Sequence, residues 1–259
     1  MKRRYRIFCL LLACFLVLGI CTSALAATPQ KPKTVPVLLY HEVADYGGVD
    51  PLLFTTLDRF RQHMIALSGA GYQTITLDDY YDHITLGTPL PQKPIIITFD
   101  DGYLGNYLYA FPVLKALGMK ATIFVITDSV NSDAVTYDHF SWEQAKEMVD
   151  SGLISIQSHT RTHQDLATLE MRHALGEMVT SKNAIERNLG VECRYLAFPY
   201  GSYNDNVYWL ARMAGYRLTL KVSDKGVNNP ADGAIPLTRL TVSGDQYWGE
   251  VLQMIEANE

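Results

Sequence analysis

The chain has 259 residues, of which 48% are hydrophobic and 19% are charged. This composition indicates a folded globular protein with one large core or two smaller ones, and it excludes a disordered chain. The N-terminus differs from the rest: four basic residues between Lys2 and Arg6 precede an uncharged apolar stretch from Ile7 to Ile20 and an Ala-x-Ala site ending at Ala26. This pattern is typical of a signal peptide over residues 1–26. We therefore expect a protein that is secreted or associated with the cell envelope.

An uncleaved membrane anchor is the alternative, because the apolar stretch extended through Ala27 just reaches the roughly 20 residues of a membrane span.

Without the four basic residues, 18 Lys and Arg remain against 27 Asp and Glu, a net charge of −9. So acidic a domain predicts no nucleic-acid partner. We expect a monomer that contacts a membrane only through the N-terminal segment, if that segment is uncleaved. Cleavage leaves Cys193 as the only cysteine, which favours a buried structural thiol.

A leader at residues 27–34 precedes alternating strands and helices in residues 35–259. Strands are predicted at 35–40, 72–76, 95–99, 121–126, 153–157, 195–198, 217–222 and 237–242, and helices at 55–70, 78–84, 107–117, 141–151, 168–189, 204–214 and 246–257. The mostly apolar strands predict a parallel sheet covered by helices on both sides. A barrel and a doubly wound sheet both fit. Because no glycine-rich phosphate motif follows a strand, the nucleotide-binding doubly wound fold loses support and the barrel is favoured.

Two adjacent aspartates follow an apolar run at residues 95–97. Asp100 and Asp101 lie in the motif TFDDG, where the predicted strand ends, and Gly102 follows directly. Strand ends carry the chemistry of α/β enzymes, and adjacent side chains leaving a strand point in different directions. One carboxylate could therefore bind a metal while the other acts as a base. An ordinary acidic turn is the alternative, because Asp-Gly is a common turn dipeptide.

A second motif, SHTRTH, places two histidines after the predicted strand 153–157. His159 and His163 are four residues apart, which puts both side chains on one face of a helix or around a tight loop. Two unrelated surface histidines are the alternative. Two histidines and one aspartate would leave open metal positions for water and substrate, as in a catalytic site. Such ligands favour zinc as the cofactor, with cobalt, nickel or another divalent ion as alternatives.

These motifs, followed by Phe198-Pro199-Tyr200-Gly201 after an apolar strand, resemble those of the NodB-type polysaccharide deacetylases, the carbohydrate esterases of family four. The similarity extends over residues 35–242, and the order of the three motifs makes it specific. The resemblance implies an α/β fold, a distorted (β/α) barrel of about seven strands in a single domain. It also implies a metal-dependent hydrolase that acts on linear amides and removes acetyl groups from sugar polymers.

The resemblance assigns the family's site residues to the matching motif positions of this chain. Asp100 would be the catalytic base that takes a proton from the attacking, metal-bound water. The metal would be bound by three side chains: Asp101, His159 and His163. The resemblance further implies that a backbone N–H near Tyr200 holds the oxyanion. Pro199 of the third motif is assigned with Tyr200 to the substrate and oxyanion site. We expect Tyr103 and Tyr200, which touch the motifs directly, to line the substrate site.

The general acid is a first departure from the family pattern. Many members use a histidine in a C-terminal Leu-x-His motif, whereas the last histidine of this chain is His173. His41, in the sequence Tyr-His-Glu, follows the first predicted strand, which in a closed barrel lies beside the last one. This opening resembles the subgroup that includes the poly-N-acetylglucosamine deacetylases, whose N-terminal histidine is thought to be the acid. We therefore predict that His41 is catalytic; a histidine that simply ends a strand is the alternative.

A second departure is Ala197, at a position where many relatives carry an arginine. Relatives with the Tyr-His opening commonly lack that arginine too. Arg239 is a candidate replacement that could pair with Asp100 and keep it ionised. An ordinary surface arginine is the equal alternative.

The sequence thus predicts an exported enzyme that removes N-acetyl groups from an N-acetylglucosamine polymer, with poly-N-acetylglucosamine as the first expectation. Peptidoglycan, chitin oligosaccharides and xylan are alternatives within the family. An inactive carbohydrate-binding protein of the cell wall is the alternative from another class, because two usual family residues are missing. The acetylated polysaccharide would bind among the loops at 45–54, 128–140 and 223–234.

Overall fold

The structure is a computed structural model that describes residues 34–45, 50–51, 53–131, 137–223 and 226–258. The predicted signal peptide at residues 1–26 and all but the last residue of the leader lie outside the described residues, so both stay predictions. The described residues include no helix of the length and apolarity that crossing a membrane requires.

A curled, mainly parallel sheet forms the centre of the fold, as the sequence predicts. Its strands and their neighbours are β1 (Val35–Tyr40), β2 (Glu42–Ala44), β3 (Phe54–Thr56), β4 (Gln73–Thr74), β5 (Pro94–Phe99), β6 (Ala121–Val125), β7 (Ile154–Ser158), β8 (Tyr195–Ala197), β9 (Leu218–Leu220), β10 (Val227–Asn228) and β11 (Leu240–Thr241). Parallel pairing runs in the order β11-β1-β5-β6-β7-β8-β9. β4 pairs parallel with β5, β10 pairs antiparallel with β1, and β2 and β3 form a separate parallel pair.

The two ends of this sheet approach each other. Leu237, just before β11, forms a parallel bridge with Leu220 of β9, and its N–H donates to the Thr219 carbonyl at 2.8 Å. Because β11 pairs with β1, the segment leading into β11 links the last strand to the first. The prediction of a single-domain, distorted (β/α) barrel of about seven strands is confirmed.

The last predicted strand is shorter than expected. The sequence predicts a strand over 237–242, but β11 has only two residues. The edge of β1 is divided, since Val35 and Pro36 pair with β10 while Leu38 and Leu39 pair with β11. β10 therefore occupies the part of the edge that a longer β11 would need.

Seven α-helices surround the sheet in the described part of the chain: α1 (Leu57–Gly69), α2 (Leu77–Leu86), α3 (Phe111–Leu117), α4 (Trp142–Asp150), α5 (Met171–Leu189), α6 (Asp205–Met213) and α7 (Trp248–Glu256). α4 begins with the capping box between Ser141 and Gln144 that the sequence indicates. The helix predicted at 107–117 is divided, because its first turn, Asn106–Ala110, is a π-helix. Such turns are frequent at functional sites.

Alternation along β5 separates two faces of the sheet. Ile95, Ile97 and Phe99 belong to the larger core cluster, which includes residues of the helices, whereas Ile96 belongs to a second cluster formed largely by other strands. Continuing this alternation puts Thr98 and Asp100 on the side of Ile96. Asp100 therefore points into the mouth of the barrel.

Cys193 is a free, fully buried thiol, as the sequence indicates. Its backbone N–H donates to Glu186 Oε1 at 3.1 Å, and its carbonyl accepts from Lys182 Nζ. Burial raises the pKa of the Cys193 thiol to about 12. The thiol therefore packs as a small apolar group.

Candidate active site

The predicted site residues meet where the parallel strands end. β5 leads into Asp100, β7 into His159, and β1 into His41. Backbone hydrogen bonds fix these ends to their neighbours, from the Asp100 N–H to the Tyr40 carbonyl at 3.0 Å and from the His159 N–H to the Val125 carbonyl at 2.9 Å. Since the carboxyl ends of parallel strands share one edge, residues far apart in sequence converge there.

Asp100 forms a bidentate ion pair with Arg239. Nη1 of Arg239 donates to Oδ1 at 2.6 Å and Nη2 donates to Oδ2 at 2.7 Å. The Arg239 side chain is 0% exposed and lies with its guanidinium 5.7 Å from the centre of the Phe124 ring. The alternative of an ordinary surface arginine is therefore wrong. Two parallel hydrogen bonds to an ionised carboxylate are among the strongest polar contacts in proteins.

The charges around Asp100 keep it ionised. Burial raises the pKa of the Asp100 carboxyl, but Arg239 and His159 more than offset burial, so that the pKa lies well below its usual range. Such a carboxylate accepts protons only transiently, unless a substrate changes its surroundings. The ion pair thus fixes both the orientation and the charge of the predicted base.

The other three predicted side chains form a group that could hold a metal. One ligand atom from each of Asp101, His159 and His163 lies within 4.8 Å of the others. The Nε2 atoms of both histidines are 3.6 Å from Asp101 Oδ1, which is buried and has no hydrogen-bond partner among the described residues. Because a buried carboxylate oxygen without a partner is costly, a cation is the expected neighbour.

The orientation of His159 suits metal binding. Its Nδ1 lies 2.8 Å from the Ala197 carbonyl, which can only accept, so Nδ1 carries the proton and the Nε2 lone pair faces the group. Burial lowers the pKa of His163, and neighbouring His159 lowers it further, while the two aspartates act in the opposite direction. Neutral imidazoles are what a metal requires. The donor set fits a divalent cation bound by one aspartate and two histidines.

Glu177 of α5 holds the loop that carries the two histidines. Its Oε2 accepts from the N–H groups of Arg161 at 3.1 Å and Thr162 at 2.8 Å, and its Oε1 accepts from the Thr162 hydroxyl at 2.9 Å. Thr160 and His163 have positive φ values of 68° and 61°, in the left-handed region that L-residues rarely adopt. These bonds therefore stabilise an unfavourable backbone conformation.

The sequence interpretation missed Glu177, although a signal existed. Glu177 lies among the buried positions of α5, together with Ala174, Met178 and Ser181. A charged residue on the apolar stripe of a helix needs a polar partner inside the protein. The pattern could have marked Glu177 as functional, but it could not have named the loop that it contacts.

His41 lies at the same edge of the barrel. Burial lowers the pKa of its ring, while the charges of Asp100 and Asp101 raise it, so these groups are close enough to interact electrostatically. His41 Nδ1 is buried and has no hydrogen-bond partner among the described residues. Its backbone carbonyl accepts from Asn106 Nδ2 at 2.7 Å. Asn106, the first residue of the π-helical turn, was not predicted, because a π-turn has no sequence signal of its own.

The third motif and Tyr103 border the group. The Tyr200 ring packs edge-on against His163, with 4.7 Å between ring centres, and 70% of the residue is exposed. Tyr200 has a positive φ of 60°, and Pro199 before it is buried. Burial raises the pKa of the Tyr103 phenol, and the nearby Asp101 carboxylate raises it further. Tyr200 therefore forms an exposed rim, while Tyr103 is buried near Asp101.

The sequence matches the polysaccharide deacetylase family model over residues 87–219. The chain is 35% identical to YxkH of Bacillus subtilis (strain 168), a protein named as a polysaccharide deacetylase, over 86% of this chain and 76% of YxkH. It is 28% identical to the poly-beta-1,6-N-acetyl-D-glucosamine N-deacetylase of Staphylococcus epidermidis, over 80% of this chain and 71% of that protein.

Solved structures show the same fold. The Streptococcus pyogenes deacetylase PplD, in complex with acetate, superposes with a TM-score of 0.78 at 27% identity, covering 86% of this chain and 99% of PplD. IcaB from Ammonifex degensii superposes with a TM-score of 0.75 at 27% identity, covering 90% of this chain and 100% of IcaB. Sequence, fold and site agree with the resemblance seen in the motifs, and the chain belongs to the polysaccharide deacetylase family of enzymes.

Proposed function

We propose that this protein removes N-acetyl groups from poly-β-1,6-N-acetyl-D-glucosamine, outside the cytoplasm, with a divalent metal that is zinc in the first instance. The observation that carries the proposal is the position of an ion-paired carboxylate, Asp100, directly beside the group of Asp101, His159 and His163. The relative from S. epidermidis supports the choice of polymer by its name. The signal-like N-terminus supports export.

Each residue of the site has a separate role in the proposed reaction. A divalent cation bound by Asp101, His159 and His163 would polarise the acetyl carbonyl and make a water molecule more acidic. Asp100 accepts a proton from the attacking water, and Arg239 holds the Asp100 carboxylate in place for that step. Attack forms a new C–O bond at the acetyl carbon.

The oxyanion formed by this attack needs a hydrogen-bond donor, and the leaving nitrogen needs an acid when the C–N bond breaks. A backbone N–H near Tyr200 donates to the developing oxyanion. His41 donates a proton to the leaving amine nitrogen, so that the products are acetate and a glucosamine unit. The exposed Tyr200 ring offers a surface for a sugar ring.

Acetate release by the purified mature protein tests the proposal. With zinc, and then with cobalt or nickel, we expect acetate from β-1,6-linked N-acetylglucosamine oligomers at a higher rate than from chitin oligosaccharides, peptidoglycan or acetylated xylan. Asp100→Asn should lower kcat by about 10²- to 10⁴-fold, because it removes the base. Asp58→Asn, at an exposed aspartate of α1, is the matched control and should leave kcat unchanged.

Two results would contradict the proposal. If correctly folded, metal-loaded protein released no acetate from any of the four substrates, the protein would not be a deacetylase of these polymers. Tight binding of a polymer without acetate release would instead favour the alternative of an inactive cell-wall binding protein. A higher rate on peptidoglycan would keep the reaction but change the substrate.

A further inference from the structure

A cavity of about 270 Å³ lies beside the candidate active site, and no step described above uses it. Its walls come from β2, β3, the start of the π-helical turn and the segment at Tyr137 and Asp138. Hydrogen bonds fix these walls to one another, from the Glu42 N–H to the Leu53 carbonyl at 2.8 Å and from the Leu104 N–H to the Asp138 carbonyl at 2.8 Å. Backbone hydrogen bonds therefore hold these walls of the cavity together.

Two carboxyl groups line this cavity without a cation of the protein to balance them. Glu42 is only 8% exposed, whereas Asp138 is exposed at the rim. Neither forms an ion pair with a lysine or arginine in the described part of the chain. Burial raises the pKa of Glu42 to about 8; the N–H of Gly105 acts in the opposite direction, and the charge of Asp138 adds to the rise. Glu42 is therefore mostly protonated at neutral pH, and a positively charged group entering the cavity would favour its ionised form, which then pairs with that group.

The remaining walls are aromatic and apolar. Tyr137 packs edge-on against Phe54, with 5.3 Å between ring centres, and both face the cavity beside Ala44 and Leu104. The volume corresponds to roughly nine water molecules at about 30 Å³ each, which suits a pyranose ring better than a single ion. Aromatic rings with a few polar groups are the usual environment of a bound sugar or other small molecule.

One aromatic ring separates the cavity from the metal-binding group. Tyr137 packs edge-on against Tyr103 at 5.8 Å between ring centres, and Tyr103 is close enough to Asp101 for that carboxylate to raise the pKa of its phenol. Glu42 also follows directly after His41 in sequence. A polymer with one sugar at the metal-binding group could therefore place a neighbouring sugar in this cavity.

We propose that the cavity is a subsite for a glucosamine unit with a free ammonium group, bound next to the N-acetylglucosamine unit that is being deacetylated. The ammonium lies between the carboxyl groups of Glu42 and Asp138, and the sugar ring contacts Tyr137. This inference rests on the proposed function, because deacetylation creates such units in the polymer. The enzyme would then act preferentially on acetylated units that adjoin deacetylated ones.

Calorimetric titration with a fully deacetylated β-1,6-linked tetramer tests the subsite without any turnover. We expect the zinc-loaded protein to bind this tetramer, and Asp138→Asn and Glu42→Gln each to weaken binding by about fivefold or more, as for a partly exposed charge pair. Glu42→Gln keeps a carbonyl oxygen for the Gly105 N–H, which favours correct folding. Glu143→Gln, at an exposed glutamate of α4, is the control and should bind like the wild type.

A second experiment measures preference. The wild type should show a higher kcat/KM for a tetramer with one glucosamine unit beside an acetylated unit than for the fully acetylated tetramer, and Asp138→Asn should reduce that ratio towards one. Unchanged tetramer binding in both variants would overturn the subsite. Loss of tetramer binding when Mg²⁺ or Ca²⁺ competes would also overturn it, because the cavity would then be a cation site. Absence of acetate release with intact, Asp138-dependent binding would overturn the proposed function and leave the subsite standing.

Discussion

The candidate site has two halves that differ in how their charges are balanced. In the base half, Asp100 and Arg239 neutralise each other inside the barrel through two short hydrogen bonds. In the ligand half, formed by Asp101, His159 and His163, one buried carboxylate oxygen has no partner among the described residues. The base half is therefore organised by the protein alone, whereas the ligand half is complete only with a cation. Two adjacent aspartates thus obtain different roles from their surroundings.

Breaking the ion pair should have the largest effect on stability. Arg239→Met leaves Asp100 buried without its cation, and we expect the free energy of unfolding to fall by about 3–5 kcal/mol. Urea unfolding of the metal-free protein measures this loss. The double variant with Asp100→Asn should recover most of it, because the buried charge is then removed as well.

Arg61→Met is the matched control for that measurement, because it removes an arginine from an exposed pair with Asp58. Its effect should stay below about 1 kcal/mol. If Arg239→Met were as mild as this control, the base half would not depend on the ion pair, and the contrast between the two halves would disappear.

Removing the support of the histidine loop should have an intermediate effect, seen in metal affinity. Glu177→Ala removes the acceptor for Thr162 and Arg161, so the loop loses its fixed conformation, and we expect zinc affinity to fall by about 10- to 100-fold. Competition with a chromogenic chelator measures this change. Glu177→Gln should restore much of the affinity, because one oxygen still accepts both N–H groups and the Thr162 hydroxyl can turn to accept from the amide.

Asn183→Ala, at an exposed position on the same helix, is the control and should leave zinc affinity unchanged. Wild-type affinity in Glu177→Ala would show that a metal can order the ligand half without the loop contacts. The unfolding free energy of the metal-free variant separates a local change in the loop from a general loss of stability.

The smallest predicted effect is the contribution of His63 in α1 to the pH dependence of stability. His63 contacts Tyr40, whose carbonyl accepts from the Asp100 N–H. His63 is buried, with Nδ1 3.2 Å from the Tyr40 hydroxyl and Nε2 3.0 Å from the Gln246 carbonyl. Burial lowers the pKa of His63, and Arg59 also lowers it, although the bond to Gln246 acts in the opposite direction. The folded state therefore binds the proton less well than the unfolded state does.

The contribution of neutral His63 is fully present above about pH 6.5 and is lost as the pH falls from there through the lower pKa of the folded state. The unfolding free energy of the metal-free protein should fall with decreasing pH, and His63 can contribute up to about 1.4 kcal/mol per pH unit. His63→Gln should make this dependence shallower in urea unfolding between pH 7.5 and 5.5. His173→Gln, at an exposed site, should not; equal slopes in both variants would contradict the assignment.

How much of the site the sequence could predict depended on distance along the chain. Asp100 and Asp101 share a five-residue motif, and His159 and His163 share a six-residue motif, because a single strand end presents each pair. The partner of Asp100 lies 139 residues away and is brought in by closure of the barrel, so Arg239 could be only a candidate. The ligand half joins two short motifs that the sequence displays, whereas the base half depends on an arginine outside any motif.

The fold shows the same limit. Long apolar strands such as β1 and β5 were predicted almost to the residue, because burial on both faces leaves a continuous hydrophobic run. β2 and β10 were missed, since strands of two or three residues have no periodicity to recognise and exist through their pairing alone. Two walls of the cavity beside the site, β2 and β3, are short strands of this kind.

Burial of Cys193 gives the protein an internal reporter of its own opening. A thiol with a pKa near 12 and no contact with solvent does not react with alkylating reagents in the folded state. After removal of the predicted signal peptide no other cysteine remains in the sequence. The rate at which a maleimide labels this one position would therefore time the transient opening of the barrel near β8, in the metal-free and metal-loaded protein alike.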